Sequence, residues 1–310
     1  MSAGELDPQA AAHLAAAAAA PPIASMTVPE ARQALWSYLE LQRPAPAGVG
    51  VEHRFIPGPT ADLPIRVLRP EGSSQVTPVV VILHGSGWVA ANLDLVDEPA
   101  RVLAIDTGMT VVTVNYQKAP EHPFPTPLDD CVAAIRWVLD HGADLGIDPA
   151  RLAVVGDSAG GNLAAAATAE LVADDVDVTA QALLYPALDH RRSSDSYREL
   201  AHGHGLDAAD MAWFWTHYLG GQTSPDDARV SPLLATEVSH LPTTFVATAS
   251  HDVLRDEGEA YAERLRDSGV DVELRRYAGM IHGFWWMDAV LDQSRTLQLD
   301  LAAFLRRALS

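Results

Sequence analysis

The chain has 310 residues, 48% of them apolar and 20% charged, a globular composition long enough to bury a large core and far from that of a fibre or disordered tail. Its 21 lysines and arginines face 41 aspartates and glutamates, a formal net charge of -20. That balance repels phosphate backbones and anionic membrane surfaces, so nucleic acid is excluded as an expected partner and neutral or weakly charged small molecules are favoured.

The alanine-rich stretch within Glu5–Ala20 follows acidic residues rather than a basic leader and stops at Pro21 and Pro22, so it is predicted to be a helix, not a signal peptide. A second helix is predicted over Pro29–Leu41, with Thr27 as N-cap and Glu30 behind it. These helices, residues 1–48, are expected to form part of a cap, and a Pro/Gly-rich link, Arg43 to Gly50, joins them to the rest. No run reaches the roughly 18 to 20 apolar residues of a membrane span. Cys131 is the only cysteine, so there is no internal disulfide and no C-x-x-C pair, and a cytoplasmic location is expected.

From Val51 on, short runs rich in β-branched residues alternate with helical patterns. Val51–Ile56 and Pro64–Leu68 suggest an opening hairpin. Strands follow at Val79–Leu83, Thr110–Asn115, Leu152–Val155, Ala180–Leu184, Thr243–Thr248 and Val272–Arg275. Helices are predicted near Asp94–Thr107, Pro127–Leu139, Ser158–Ala173, Asp256–Asp267 and Leu291–Ala308. Continuously apolar strands separated by helices indicate an α/β fold, a mostly parallel central sheet of about eight strands with helices on both faces. Residues 188–231 interrupt the alternation and hold a helix, Asp207–Tyr218. They are read either as an insertion completing the cap or as a loop excursion. The expected division is thus 1–48 and 188–231 as cap, and 49–187 and 232–310 as two parts of a catalytic core.

Gly156-Asp157-Ser158-Ala159-Gly160 lies between a predicted strand and a predicted helix. There it becomes a sharp turn that presents a serine oxygen above the sheet at a helix N-terminus, the site of a nucleophile rather than of a simple N-cap. His84-Gly85-Ser86-Gly87-Trp88 follows the strand Val79–Leu83 directly. Its small residues suit backbone N–H groups aimed at an oxyanion, so Gly85, Ser86 and, beside the nucleophile, Ala159 are the expected donors. Ser86 brings a Cβ and a hydroxyl to a position that favours glycine. A base and an orienting acid must follow in chain order. Of the 12 histidines only His240, His251 and His282 lie beyond the insertion, and His282 sits in a glycine-bounded loop after the last strand. Asp252, at the end of Thr243–Thr248, is the best acid; Asp256 and Glu257 read as first-turn helix residues. His251 is the rival base, disfavoured because side chains of adjacent residues diverge from Asp252.

These pieces resemble the hormone-sensitive-lipase family of bacterial carboxylesterases, with the α/β-hydrolase fold. Asn115-Tyr116-Gln117-Lys118-Ala119-Pro120-Glu121-His122-Pro123-Phe124-Pro125 looks like that family's Y-R-L-A-P-E-x-P-F-P stretch. Leu254-Arg255-Asp256-Glu257-Gly258 looks like its L-R-D-E-G, and Gly156 to Asn162 completes the match. The departures are Ser86 for glycine and Gln117-Lys118 for Arg-Leu, the latter putting an inherited salt bridge there in doubt. The resemblance implies a cap, a homodimer in many members, and hydrolysis of a small-molecule ester by Ser158, His282 and Asp252 with no metal or other cofactor. Amides or lactones would use the same triad, and a non-catalytic ligand-binding protein of this fold would lack an activated serine. Among Trp88, Phe124, Trp213, Phe214, Trp215, Trp285 and Trp286, at least half are expected in the core. Trp88, Phe124, Trp213 and Trp285 are the expected pocket residues. His202-Gly203-His204 lacks a third metal ligand and reads as loop.

Overall fold

A computed structural model describes residues 4–73, 76–221 and 227–310. Two helices, α1 (Pro8–Ala17) and α2 (Val28–Leu35), precede the sheet. The first starts at Pro8, where Asp7 caps it by accepting from the Gln9 N–H at 2.8 Å, and ends at Ala17, short of the end of the alanine run. In the second, Thr27 and Glu30 form the expected capping box, but the chain tightens into a 3-10 turn over Trp36–Leu41.

The strands are β1 (Val49–Ile56), β2 (Leu63–Pro70), β3 (Thr77–Leu83), β4 (Thr110–Val114), β5 (Ile147–Asp157), β6 (Ala180–Leu184), β7 (Thr243–His251) and β8 (Val272–Ile281). They lie in the order β1-β2-β4-β3-β5-β6-β7-β8. The β1–β2 and β2–β4 pairs are antiparallel and the other five parallel. The helices are α3 (Asp97–Thr107), α4 (Thr126–Asp140), α5 (Gly142–Leu145), α6 (Ala159–Ala173), α7 (Asp195–Glu199), α8 (Ala208–Leu219), α9 (Arg255–Asp267) and α10 (Asp292–Ala308).

Both faces of the sheet are covered, which explains the unbroken apolar strands. Along β3, Val79, Val81 and Leu83 face one core, shared with α4, α6 and α9, while Val80 and Ile82 face the other, shared with α3 and α10. The predicted strands are all present, with β5, β7 and β8 longer than expected. The 188–231 stretch lies between β6 and β7 and adds a helix not foreseen, α7; its residues 222–226, like residues 1–3, lie outside the described residues.

The two family-like stretches fasten the flanking segments to this core. Arg32 of α2 forms a bidentate pair with Glu121 at 2.6 and 2.8 Å and donates to the Ala119 and Val89 carbonyls. On the other side, Asp256 accepts from the Ser196 N–H at 2.7 Å and the buried Glu257 from the Leu188 N–H at 2.6 Å. The Gln117-Lys118 departure is absorbed locally. Gln117 donates to Asp130 through its backbone at 2.8 Å and its amide at 3.3 Å. The Lys118 ammonium lies over the Tyr116 ring, and burial pulls its pKa down to about 7.

Candidate active site

β5 ends at Asp157 and α6 starts at Ala159, leaving Ser158 alone in the corner at φ 54°, ψ -120°. A non-glycine residue held there costs about 1–3 kcal/mol and persists because its surroundings leave no alternative. Its N–H donates to the Leu184 carbonyl at 2.8 Å and its carbonyl accepts from Asn162 N–H at 3.1 Å. The flanking glycines are sterically required: a Cβ on Gly156 would collide with the Gly160 carbonyl, and one on Gly160 with the Leu83 carbonyl.

Asp252 and His282 follow the last residues of β7 and β8, His251 and Ile281. The structure therefore corrects the expectation of a base in a loop after the last strand: β8 runs on through the glycine-bounded stretch and delivers His282 at its tip. The Nε2 of His282 is 2.9 Å from Ser158 Oγ, and its Nδ1 is 2.7 Å from Asp252 Oδ2. Asp252, 1% exposed, also accepts from the Leu254 N–H through Oδ1 at 2.9 Å, so both carboxylate oxygens are engaged. The Tyr185 ring packs edge-on to the imidazole, centroids 4.8 Å apart. His251 turns away, bonded to Ser250 Oγ at 3.0 Å and packed on His204.

Opposite Ser158 is the turn that follows β3. Gly85 is not available as an oxyanion donor, because its N–H donates to Asp157 Oδ1 at 2.9 Å. The N–H groups of Ser86 and Gly87 have no protein acceptor among the described residues, and both residues line the cavity beside Ser158 and Ala159. Of the N–H groups in this turn, that of Gly85 is occupied, while that of Gly87, a residue not among the expected donors, is open. Ser86 takes φ 83° and its hydroxyl donates to the Gly85 carbonyl, so serine sits here in a backbone region that favours glycine. A Cβ on Gly87 would overlap the Phe214 ring.

The cavity above these groups is small and partly open to solvent. Its walls come from the N-terminal segment (Ile23, Leu35, Tyr38), from the insertion (Gly205, Leu206, Asp210, Met211, Phe214) and from Gly283 and Trp286. None of the four expected aromatics is among them. Trp88 is fully buried, stacked on Tyr218 at 4.3 Å with Trp215 beside it. Phe124 meets the edge of the same Tyr218, Trp285 is fully buried, and Trp213 packs against His217. Phe214 and Trp286, in the wider aromatic set, do face the cavity. Tyr38 was missed: nothing in its local sequence marks it.

Two carboxylates border the cavity. Burial pushes Asp157 up to about 7, against the Gly85 hydrogen bond and the nearby His282, which pull it down. Asp210, also raised by burial, accepts from Ala24 N–H at 2.8 Å and Asp207 N–H at 3.1 Å, tying the N-terminal segment to α8. Among the described residues no three histidine, cysteine or acidic side chains gather as metal ligands; His202 is exposed beside Asp207 and His204 packs on His251.

A mostly parallel sheet carrying a strained serine at a strand-to-helix corner, backed by histidine and aspartate from later strand ends, defines an α/β-hydrolase architecture. A profile of the alpha/beta hydrolase fold matches residues 80–286, and the chain belongs to that family. Carboxylesterase NlhH of Mycobacterium tuberculosis is 42% identical over 253 residues, covering 80% of this chain and 79% of that protein. Carboxylic ester hydrolase LipN of the same organism is 40% identical over 244 residues, 76% of this chain but 64% of LipN, so more than a third of that relative lies outside the match. Among solved structures, ester-hydrolase EH1AB1 from the metagenome of Lake Arreo, complexed with a bipyridine phosphonate derivative, superposes with a TM-score of 0.93 at 36% identity over 97% of this chain and 98% of that one. A thermostable esterase from Pseudomonas putida gives 0.94 at 31% identity, covering 99% and 98%.

Proposed function

We propose that this protein is a serine carboxylesterase that hydrolyses short- to medium-chain carboxylic esters through an acyl-enzyme intermediate. The observation that carries the reading is the continuous hydrogen-bonded line from Ser158 Oγ through His282 to Asp252. His282 Nε2 takes the Ser158 proton as Oγ attacks the ester carbonyl. The Ser86, Gly87 and Ala159 N–H groups receive the oxyanion, in low-dielectric surroundings where such donors count most. His282 then protonates the departing alcohol, and water repeats the attack to release the acid. Asp252 holds the imidazole so that Nε2 faces the serine, and stabilises it when protonated.

Residues 1–48 and 188–231 act in this reading as a cap over a core formed by 49–187 and 232–310. The small, mostly apolar cavity favours short and medium acyl groups over long ones. Relatives named as ester hydrolases favour esters over amides or lactones. No helix among the described residues is long and apolar enough to cross a membrane; the cytoplasm as its place and a homodimer as its assembly belong to the proposal.

Hydrolysis of p-nitrophenyl esters from two to sixteen carbons tests this. Short esters are expected to turn over, with kcat/KM reduced at least about three orders of magnitude by Ser158→Ala and by His282→Ala. An inactive wild type whose Ser158 still reacts with a fluorophosphonate would overturn the substrate class; no labelling would overturn the activated serine.

A further inference from the structure

β3 and β5 run parallel, and their last paired residues are Leu83 and Gly156. Beyond that point the strands part, β5 into the Ser158 corner and β3 into the turn 84–87. The ladder would leave the Gly85 N–H without a backbone acceptor in a buried place, where an orphaned donor is costly. The side chain of Asp157 fills the gap: Oδ1 accepts from Gly85 N–H at 2.9 Å, and the residue is 2% exposed. Gly85 is shaped to this contact, since a Cβ there would lie 2.5 Å from Asp157 Oδ2 and 2.8 Å from the Asp157 carbonyl. Its own carbonyl is held as well, by the Ser86 hydroxyl and against His84 Nδ1 at 2.9 Å. The next two N–H groups along the turn, those of Ser86 and Gly87, have no protein acceptor among the described residues, and both residues line the cavity with Ser158.

We propose that Asp157 is a positioning residue for acyl transfer: by anchoring the Gly85 N–H it sets the orientation of the peptide units that aim the Ser86 and Gly87 N–H groups at the oxyanion. The inference rests on the ester-hydrolase reading of the site. The role asks only for an acceptor lone pair, which a carboxylate, a carboxylic acid and a primary amide all possess. A carboxyl held near 7 by burial keeps that lone pair whether or not it is ionised. Asp157 touches neither the serine oxygen nor the imidazole by hydrogen bond, so its effect reaches the reaction through the turn.

The test compares Asp157→Ala, Asp157→Asn and wild type on p-nitrophenyl butyrate, with inhibition by an alkyl trifluoromethyl ketone, whose serine adduct carries an oxyanion. Because oxyanion donors act in the transition state, Asp157→Ala is expected to lower kcat by about 100-fold with KM changed less than about threefold. The inhibition constant for the ketone should rise in parallel. Asp157→Asn, which can still accept from Gly85, is expected to recover at least about tenfold of the lost kcat. If Asp157→Ala does not fold, Asp157→Ser serves, its oxygen one bond short of Gly85. A kcat within threefold of wild type in the Ala or Ser variant, a loss confined to KM, or an Asn variant no better than Ala would overturn the proposal. A wild type that turns over no ester and leaves Ser158 unlabelled would fail the function itself, a result separate from these.

Discussion

The floor and the roof of the cavity are built by opposite means. The floor consists of residues that directly follow strand ends: Ser158 after β5, Asp252 after β7 and His282 after β8. Parallel pairing sets the separation of those ends, and backbone bonds lock each residue, so a long hydrogen-bonded ladder holds the reacting atoms. The roof has no ladder. It joins Ile23, Leu35 and Tyr38 to Met211 and Phe214 across more than 170 residues of chain. Side chains supply two of its main fastenings, Asp210 capping Ala24 and Arg32 clamping Glu121, beside isolated backbone bonds such as Phe124 N–H to the Tyr218 carbonyl. On the proposed function, chemistry is placed where the fold is stiffest, while substrate fit is left to segments attached outside the sheet.

The sharpest break in the comparison is expected from the floor. Asp252→Asn should leave the fold intact, since an amide oxygen can still cap Leu254 N–H. It should nonetheless lower kcat by about three to four orders of magnitude, because the amide cannot orient and stabilise the imidazole as a carboxylate does. Steady-state kinetics alongside a thermal melt checks this; a loss below tenfold would show that Asp252 is not the orienting acid.

The roof should respond differently. Asp210→Ala leaves the Ala24 and Asp207 N–H groups without their acceptor, a loss of about 1–3 kcal/mol in urea unfolding. Its kinetic effect is expected mainly in KM, roughly tenfold upward for six- to eight-carbon acyl esters, with kcat changed less. Were kcat to fall as far as in the floor variants, the division between floor and roof would not hold.

The smallest effect is expected at the seam. Ser86→Gly removes a Cβ from φ 83° and should raise stability by about 0.5–1 kcal/mol, less whatever the lost hydroxyl contact to Gly85 contributed. Equilibrium denaturation measures it, and a clear loss of stability would mean that the hydroxyl contact outweighs the backbone strain.

The eight strands, most of the flanking helices and the strand-to-helix corner were legible in the sequence, because each is written in a local pattern, whereas the order serine, acid, histidine was an expectation drawn from the fold. Alternation of apolar runs with helical periodicity reports the sheet; glycines two residues either side of a serine report the corner; a histidine or aspartate after a β-branched run reports a strand end. The walls of the cavity were not legible. Trp213, Phe214 and Trp215 are neighbours in sequence, but successive residues on a helix point about 100° apart. Phe214 therefore meets the cavity, Trp215 the Trp88–Tyr218 stack, and Trp213 the flank beside His217.

The same distinction separates Gly85 from Gly87. Sequence alone determined that a small-residue turn follows β3 and lies near the nucleophile, since both come at the ends of predicted strands. Only the tertiary structure decided which N–H groups remain open, because the Asp157 carboxyl, 72 positions away, claims the first of them. Periodicity and turn chemistry are properties of a few consecutive residues. The direction of a single N–H or ring is settled by whatever distant partner the fold brings against it.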